Sequence, residues 1–274
     1  MSQNPIVTLT TDFGASAYVG QLKGCLLSNC PSARIVDISH DIRPQSVLHG
    51  ATVLQDSVPC FPPGSIHIAV VDPGVGSDRS LVVAEIGPWL VLGPDNGLLS
   101  SLAADWPIGR IIRLANPEYW QRKVSKTFHG RDILAPVAGH LASGVALEKF
   151  GPRHSELFPN PVPRTVTTAH SISGQILFSD HYGNLITNIA LDDFPTDAPD
   201  DVLRVFICGK ENSPFPRQMI PWVRTYADGQ HGELVALVGS SGRVEVAVVN
   251  GNASLHIGSE DIDVSIEFER AFFR

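Results

Sequence analysis

The chain changes texture near residue 165, and that change limits its possible folds more than any single motif does. Upstream, short β-rich runs alternate with segments of helical spacing. Ile6–Thr10 (IVTLT) reads as a strand, and Tyr18–Cys30 follows with apolar residues at Val19, Leu22, Leu26 and Leu27. Ala33–Ile38 reads as the next strand. A helix from about Gln45 to Val58 is expected after Pro44, stopping near Pro59. Ile66–Val71 is apolar almost throughout, as a strand covered on both faces would be. Leu81–Glu85 and Leu90–Leu92 add strands, and Leu98–Trp106 and Ile133–Ala142 add helices. This alternation implies right-handed crossovers and a mostly parallel sheet with flanking helices. Downstream, Gln175–Phe178, Val202–Ile207, Glu233–Val238, Arg243–Val249 and Asp263–Phe268 read as strands without a convincing helix between them. Gly151–Arg164 holds four prolines and reads as a stiff linker. The expected organisation is an α/β domain over residues 1–165 and a smaller all-β domain over 170–274.

Composition narrows the partners. With 43% hydrophobic and 18% charged residues the chain is ordinarily globular, and a formal net charge of -8 disfavours nucleic acid, which selects a basic face. No apolar run reaches the roughly 18–20 residues of a membrane span, and no signal-peptide pattern is visible. Cys25, Cys30, Cys60 and Cys208 are irregularly spaced, which fits a reducing, cytoplasmic setting and gives no metal-site pattern. A small-molecule partner is the natural expectation.

Candidate chemistry gathers where an open α/β sheet binds ligands, at the carboxyl ends of its strands. Asp12 follows IVTLTT, Asp37 lies within IVDIS, and Asp72 follows IHIAVV; Asp12 and Asp72 each precede a glycine-containing turn. Caps and turns are the plainer reading of such aspartates. Arg79, in GSDRS, would pair with a carboxylate or sit in solvent. His129, in TFHGRD before the apolar helix, can position water or exchange a proton, and surface histidines of no special role are common. Asp132 would suit the dipole of that helix. In the second domain, Asp180-His181-Tyr182-Gly183-Asn184 reads as a hairpin turn, or as a set able to stack on and hydrogen-bond a nucleobase. Gly239-Ser240-Ser241-Gly242 is a further polar turn. His40, His49, His67, His140 and His256 read as structural.

Taken in order, TTDFG, YVGQLKG, DISHDI, VVDPGVGSDR, GPDNG, FHGRD, DHYGNLITNI and GSSGRVEVAVVNGNA resemble the S-adenosyl-L-methionine hydroxide adenosyltransferase family, adenosine-forming hydrolases related to fluorinase and chlorinase. The resemblance spans nearly the whole chain. It implies an N-terminal α/β domain, a barrel-like C-terminal β domain, and a homotrimer whose sites lie between the N-domain of one subunit and the C-domain of the next. It assigns water handling to Asp72, Arg79 and His129, and the ribose hydroxyls to Asp12. Asp180 falls near the methionine amine, Asn184 at adenine and Tyr182 at the stacking position. Ser240, Ser241, Glu245 and Val248 fall in the stretch lining the same pocket. Relatives often carry a longer DFGxxDPY turn; here it is one residue shorter, with Ala17 where the second Asp would stand. The implied reaction needs no cofactor and no metal: water attacks C5′ in line with a sulfonium whose leaving group, methionine, departs neutral. Two other readings use the same residues. One makes Asp12 and Asp72 magnesium ligands of a nucleotide phosphatase; the other is an adenosine-binding or S-adenosyl-L-methionine-binding sensor without turnover.

Overall fold

The computed structural model describes residues 4–194, 204–209, 216–258 and 262–267. Val202 and Phe268, ends of two expected strands, lie outside the described residues. The chain divides into two compact units, Met1–Pro161 and Val162–Arg274.

The first unit runs β1 (Ile6–Thr11), α1 (Ala17–Asn29), β2 (Arg34–Ser39), α2 (Val47–Ser57), β3 (Ile66–Val70), β4 (Leu81–Ile86), β5 (Trp89–Pro94), β6 (Ile108–Arg113) and α3 (Ala135–Ala142). Its six strands lie in the order β2-β1-β3-β5-β4-β6. The first four are parallel; β4 is antiparallel to both its neighbours, because only the two residues Gly87 and Pro88 join it to β5. Alternate strand residues fill one face: Val7, Leu9, Ile66, Ile68 and Val70 pack with Leu22 and Leu26 of α1 and with Val137 and Leu141 of α3. Leu9, Leu22 and Leu26 are fully buried, each contributing about 1.5–3 kcal/mol of transfer free energy. The opposite face carries Thr8 and His67, paired in register, with Thr8 Oγ1 2.7 Å from His67 Nδ1. Burial lowers the His67 pKa to about 4.

Two expectations need correction, and one strand was not foreseen. Leu98–Trp106 is not a helix: its spaced leucines fold as turns with one short 3-10 segment, Leu102–Ala104. The edge strand β6 escapes the sequence reading because Gly109, Arg110 and Arg113 break its apolar pattern. The helix expected from Ile133 becomes regular only at Ala135, after a wider π turn over Gly130–Leu134. Pro136 has no N–H to give the Asp132 carbonyl, which accepts the Gln121 N–H instead at 2.8 Å. The proline-rich stretch is tied to the first unit as far as Pro161: Asp95 accepts His154 Nε2 at 2.9 Å and the Phe158 N–H at 2.7 Å.

The second unit comprises β7 (Val166–Thr167), β8 (Ser171–Ser179), β9 (Leu185–Ala190), β10 (Arg204–Gly209), β11 (Gln218–Ile220), β12 (Leu234–Val238), β13 (Arg243–Val248), α4 (Ala253–Ile257) and β14 (Ile262–Glu267). Its pairings are antiparallel, in the order β11-β10-β14-β8-β9-β13-β12, with β7 beside β8. A bridge from Trp222 to Ala236 links the two ends of that order, giving a barrel-like form. Ile172, Leu185, Ile189, Val205, Ile207 and Val246 are among its core residues. The one-turn helix α4, too short to read from periodicity, is capped by Asn252. Among the described residues, no helix is long and apolar enough to cross a membrane.

Candidate active site

The chain leaves β1 towards β2 on one side and leaves β3 towards β4 on the other, so a crevice opens between the carboxyl ends of two adjacent parallel strands. Thr11 pairs with Val70 across them, which places Asp12 and Asp72 at the same edge. They border a hollow of about 210 Å³ together with Phe13, Gln45, Phe128 and His129. Asp12 Oδ2 accepts the Gln45 N–H at 2.8 Å. Gln45 has φ 64, a left-handed conformation unusual for a residue with a side chain.

Arg79 grips Asp72 with its fork. Nε lies 2.8 and 2.9 Å from the two carboxylate oxygens, and Nη2 also donates to Oδ2. Both side chains are nearly buried, 11% and 8% exposed, so the pair is shielded from water. Arg79 Nη2 also donates to His129 Nδ1 at 3.0 Å. Because guanidinium only donates, Nδ1 presents its lone pair and the proton of the neutral ring sits on Nε2. Burial and the charge of Arg79 push the His129 pKa below its ordinary value, against the pull of Asp72.

The loop carrying His129 is built locally. Gly130 allows the turn to press against β3: a Cβ there would stand 3.1 Å from a Val70 methyl. Ser125 Oγ accepts the Phe128 N–H at 3.0 Å, and the Ser125 N–H is held at 2.8 Å by the buried Asp132 carboxylate. Arg131 donates to both Asp132 oxygens, at 2.6 and 2.9 Å. Burial alone would raise the Asp132 pKa, but the donors from Arg131 and Ser125 keep it low. Asp132 thus braces the loop. On the other side, Asn96 Nδ2 donates to the Val71 carbonyl at 2.9 Å, next to Asp72.

The second unit contains the remaining sequence-derived candidates. Asp180 Oδ1 accepts the N–H groups of Tyr182 and Asn184 at 2.9 and 2.8 Å, and Oδ2 accepts Asn184 Nδ2 at 3.0 Å. Gly183 has φ 85, and a Cβ there would stand 2.1 Å from Asn252 Cγ. Only glycine lets this turn rest on the cap of α4. Tyr182 is 73% exposed. Ser240 and Ser241 are exposed at the β12–β13 turn. Glu245 is buried and accepts the Tyr226 hydroxyl; burial raises both groups' pKa values. Val248 lies in the β core, its side chain spent on packing.

The structure therefore joins Asp12, Asp72 and His129 around one hollow, with Arg79 behind them. It links Asp180 and Asn184 to Tyr226 and Glu245 in a separate network. Gln45, Ser125, Asn96 and Tyr226 were not singled out from sequence. Asn96 left a trace in the GPDNG motif, and Tyr226 in the Thr225-x-x-Asp228 capping pattern around it. Among the described residues, no group of His, Cys, Asp and Glu is arranged to hold a metal ion.

A switch-point crevice in an α/β unit, followed by an antiparallel β unit, defines a two-domain protein with its polar cluster where enzymes of this class bind small molecules. Comparison with known proteins makes that more particular. The N-terminal domain of the SAM hydroxide adenosyltransferases matches residues 7–151, and their C-terminal domain matches residues 174–263. The chain belongs to the SAM hydroxide adenosyltransferase family. It is 38% identical to the (R)-S-adenosyl-L-methionine hydrolase of Salinispora tropica, over 94% of this chain and 95% of that protein. It is 36% identical to the enzyme of the same name from Salinispora arenicola, over 93% and 94%. The crystal structure of an uncharacterized conserved protein from Thermotoga maritima matches with a TM-score of 0.84 at 33% identity, covering 96% of this chain and 99% of that one.

Proposed function

We propose that this protein hydrolyses S-adenosyl-L-methionine to adenosine and methionine, the activity named for its relatives. The observation that carries the reading is the Asp72–Arg79–His129 cluster opening, with Asp12, onto one hollow. Asp12 takes the ribose hydroxyls and fixes C5′. The neutral His129 ring donates from Nε2 to the oxygen of a water behind C5′, leaving its attacking lone pair directed at carbon. As the C–O bond forms, the C–S bond breaks and its electron pair leaves on sulfur as neutral methionine. The surplus water proton passes to the Asp72 carboxylate and then to solvent. Arg79 holds both partners in place, and the carboxylates favour a cationic substrate.

Unit one alone provides a hollow of about 210 Å³, below the roughly 300–1,000 Å³ of complete small-molecule sites. The rest of the site comes, in this reading, from the second unit of a neighbouring subunit in a homotrimer, with Tyr182 against adenine, Asn184 on its edge, and Asp180, Ser240 and Ser241 towards methionine. Glu245 acts through Tyr226, and Val248 supports the wall by packing.

Incubation with S-adenosyl-L-methionine, followed by chromatography, tests the function. Adenosine and methionine are expected in equal amounts, unaffected by chelator and independent of added chloride or fluoride. Absence of adenosine despite tight binding would favour the sensor reading. A halogenated nucleoside would move the chain to the halide-using branch.

A further inference from the structure

We propose that His40 is a positioning residue for Asp12, holding the turn that aims the carboxylate; this rests on the reading of Asp12 as the group that takes the ribose hydroxyls. His40, just beyond β2, grips the residues on both sides of Asp12. Its Nδ1 lies 2.8 Å from Thr11 Oγ1, and that same oxygen accepts the Phe13 N–H at 3.3 Å. The His40 carbonyl accepts the Gly14 N–H at 2.7 Å. Thr11 and Gly14 are thus tied directly to His40, and Phe13 through the Thr11 hydroxyl, while Asp12 among them borders the hollow. The far side of the ring faces a charged pair: Nε2 lies 3.1 Å from Asp37 Oδ1, within ion-pair distance but without hydrogen-bond geometry, and Lys23 Nζ donates to Asp37 Oδ2 at 2.6 Å. The carboxylate beside Nε2 favours the proton on that nitrogen, leaving Nδ1 to accept from the Thr11 hydroxyl.

The sequence Asp37, His40, Thr11 has the outline of a hydrolytic nucleophile relay, but its hydroxyl is fully buried and already accepts a backbone N–H. No substrate atom reaches it. What the relay does reach is the turn between β1 and α1.

Calorimetry with adenosine and 2′,3′-dideoxyadenosine tests the proposal on the full-length protein. His40→Leu is expected to weaken adenosine by about 10-fold or more, the size of a lost charged hydrogen bond, and to change the dideoxy analogue by no more than about 2-fold. His40→Asn, whose side-chain oxygen can accept from Thr11, should restore most adenosine affinity. In an Asp12→Ala background, His40→Leu should add nothing, since the two act through one contact. Hydrogen exchange of peptides covering residues 11–16 should quicken in His40→Leu without ligand present. Equal weakening of both nucleosides, full additivity with Asp12→Ala, or unchanged exchange over 11–16 would each overturn the role. A silent Asp12→Ala would instead remove Asp12 from the ribose, and the role of His40 with it.

Discussion

Arg79 is the residue on which the cluster turns, because one planar fork serves a carboxylate and an imidazole together. Asp72→Asn and His129→Ala are each expected to lower kcat by about 10²–10⁴-fold while adenosine affinity stays within a few-fold, measured by single-turnover chromatography and calorimetry. Wild-type turnover in either variant would remove that residue from the chemistry. Protonating His129 would end its acceptance from Arg79 and set two cations side by side. Its folded pKa is lowered, so the active neutral form persists below the ordinary histidine range. The acid limb of the pH–kcat profile is therefore expected below pH 6.5, and an acid limb above that value in wild type would contradict the assignment. Asp12, Asp72, Arg79 and His129 were readable in the sequence because each lies in a motif at a strand end or helix entrance. Gln45 was not readable, since its part depends on a backbone N–H and a left-handed φ rather than on its side chain.

Among the elements, β3 joins site and stability. One end leads to Asp72; within it lies His67, fully buried, with Nδ1 on Thr8 and no partner for Nε2 among the described residues. Its pKa near 4 lies below that of the unfolded chain, so between about pH 6.5 and 4 the unfolded state binds the extra proton. Stability is full above that window and falls as pH drops through it, by up to about 3 kcal/mol. Urea titrations at pH 7.5 and 5 should show the loss, and His67→Leu should reduce the difference between the two midpoints. An unchanged difference would clear His67 of the effect. Strands with nearly continuous apolar runs, such as β3, were plain in the sequence. β6 was hidden by its glycine and arginines, and the Leu98–Trp106 stretch imitated a helix because turns can bury the same leucines. The π turn before α3 had a local signal in Pro136, but where the Asp132 carbonyl finds its donor instead is a tertiary fact.

At the scale of the molecule, the change of texture near residue 165 was legible because period and turn chemistry both alter there. The proposed homotrimer carries its own prediction. If each site joins unit one of one subunit to unit two of the next, Asp72→Ala and Tyr182→Ala trimers, each weak alone, should complement when dissociated, mixed and reassociated. About a quarter of the sites would then carry both intact halves. Activity that stays at the average of the two variants, or a monomer by light scattering, would refute shared sites.

The left-handed backbone at Gln45 sets stiffness against durability. Glycine would sit there without strain and leave a sturdier chain, yet it would slacken the amide that steadies Asp12. Selection for heat tolerance alone would therefore work against the pocket at this point, and screens for hardier variants should score catalysis at every round.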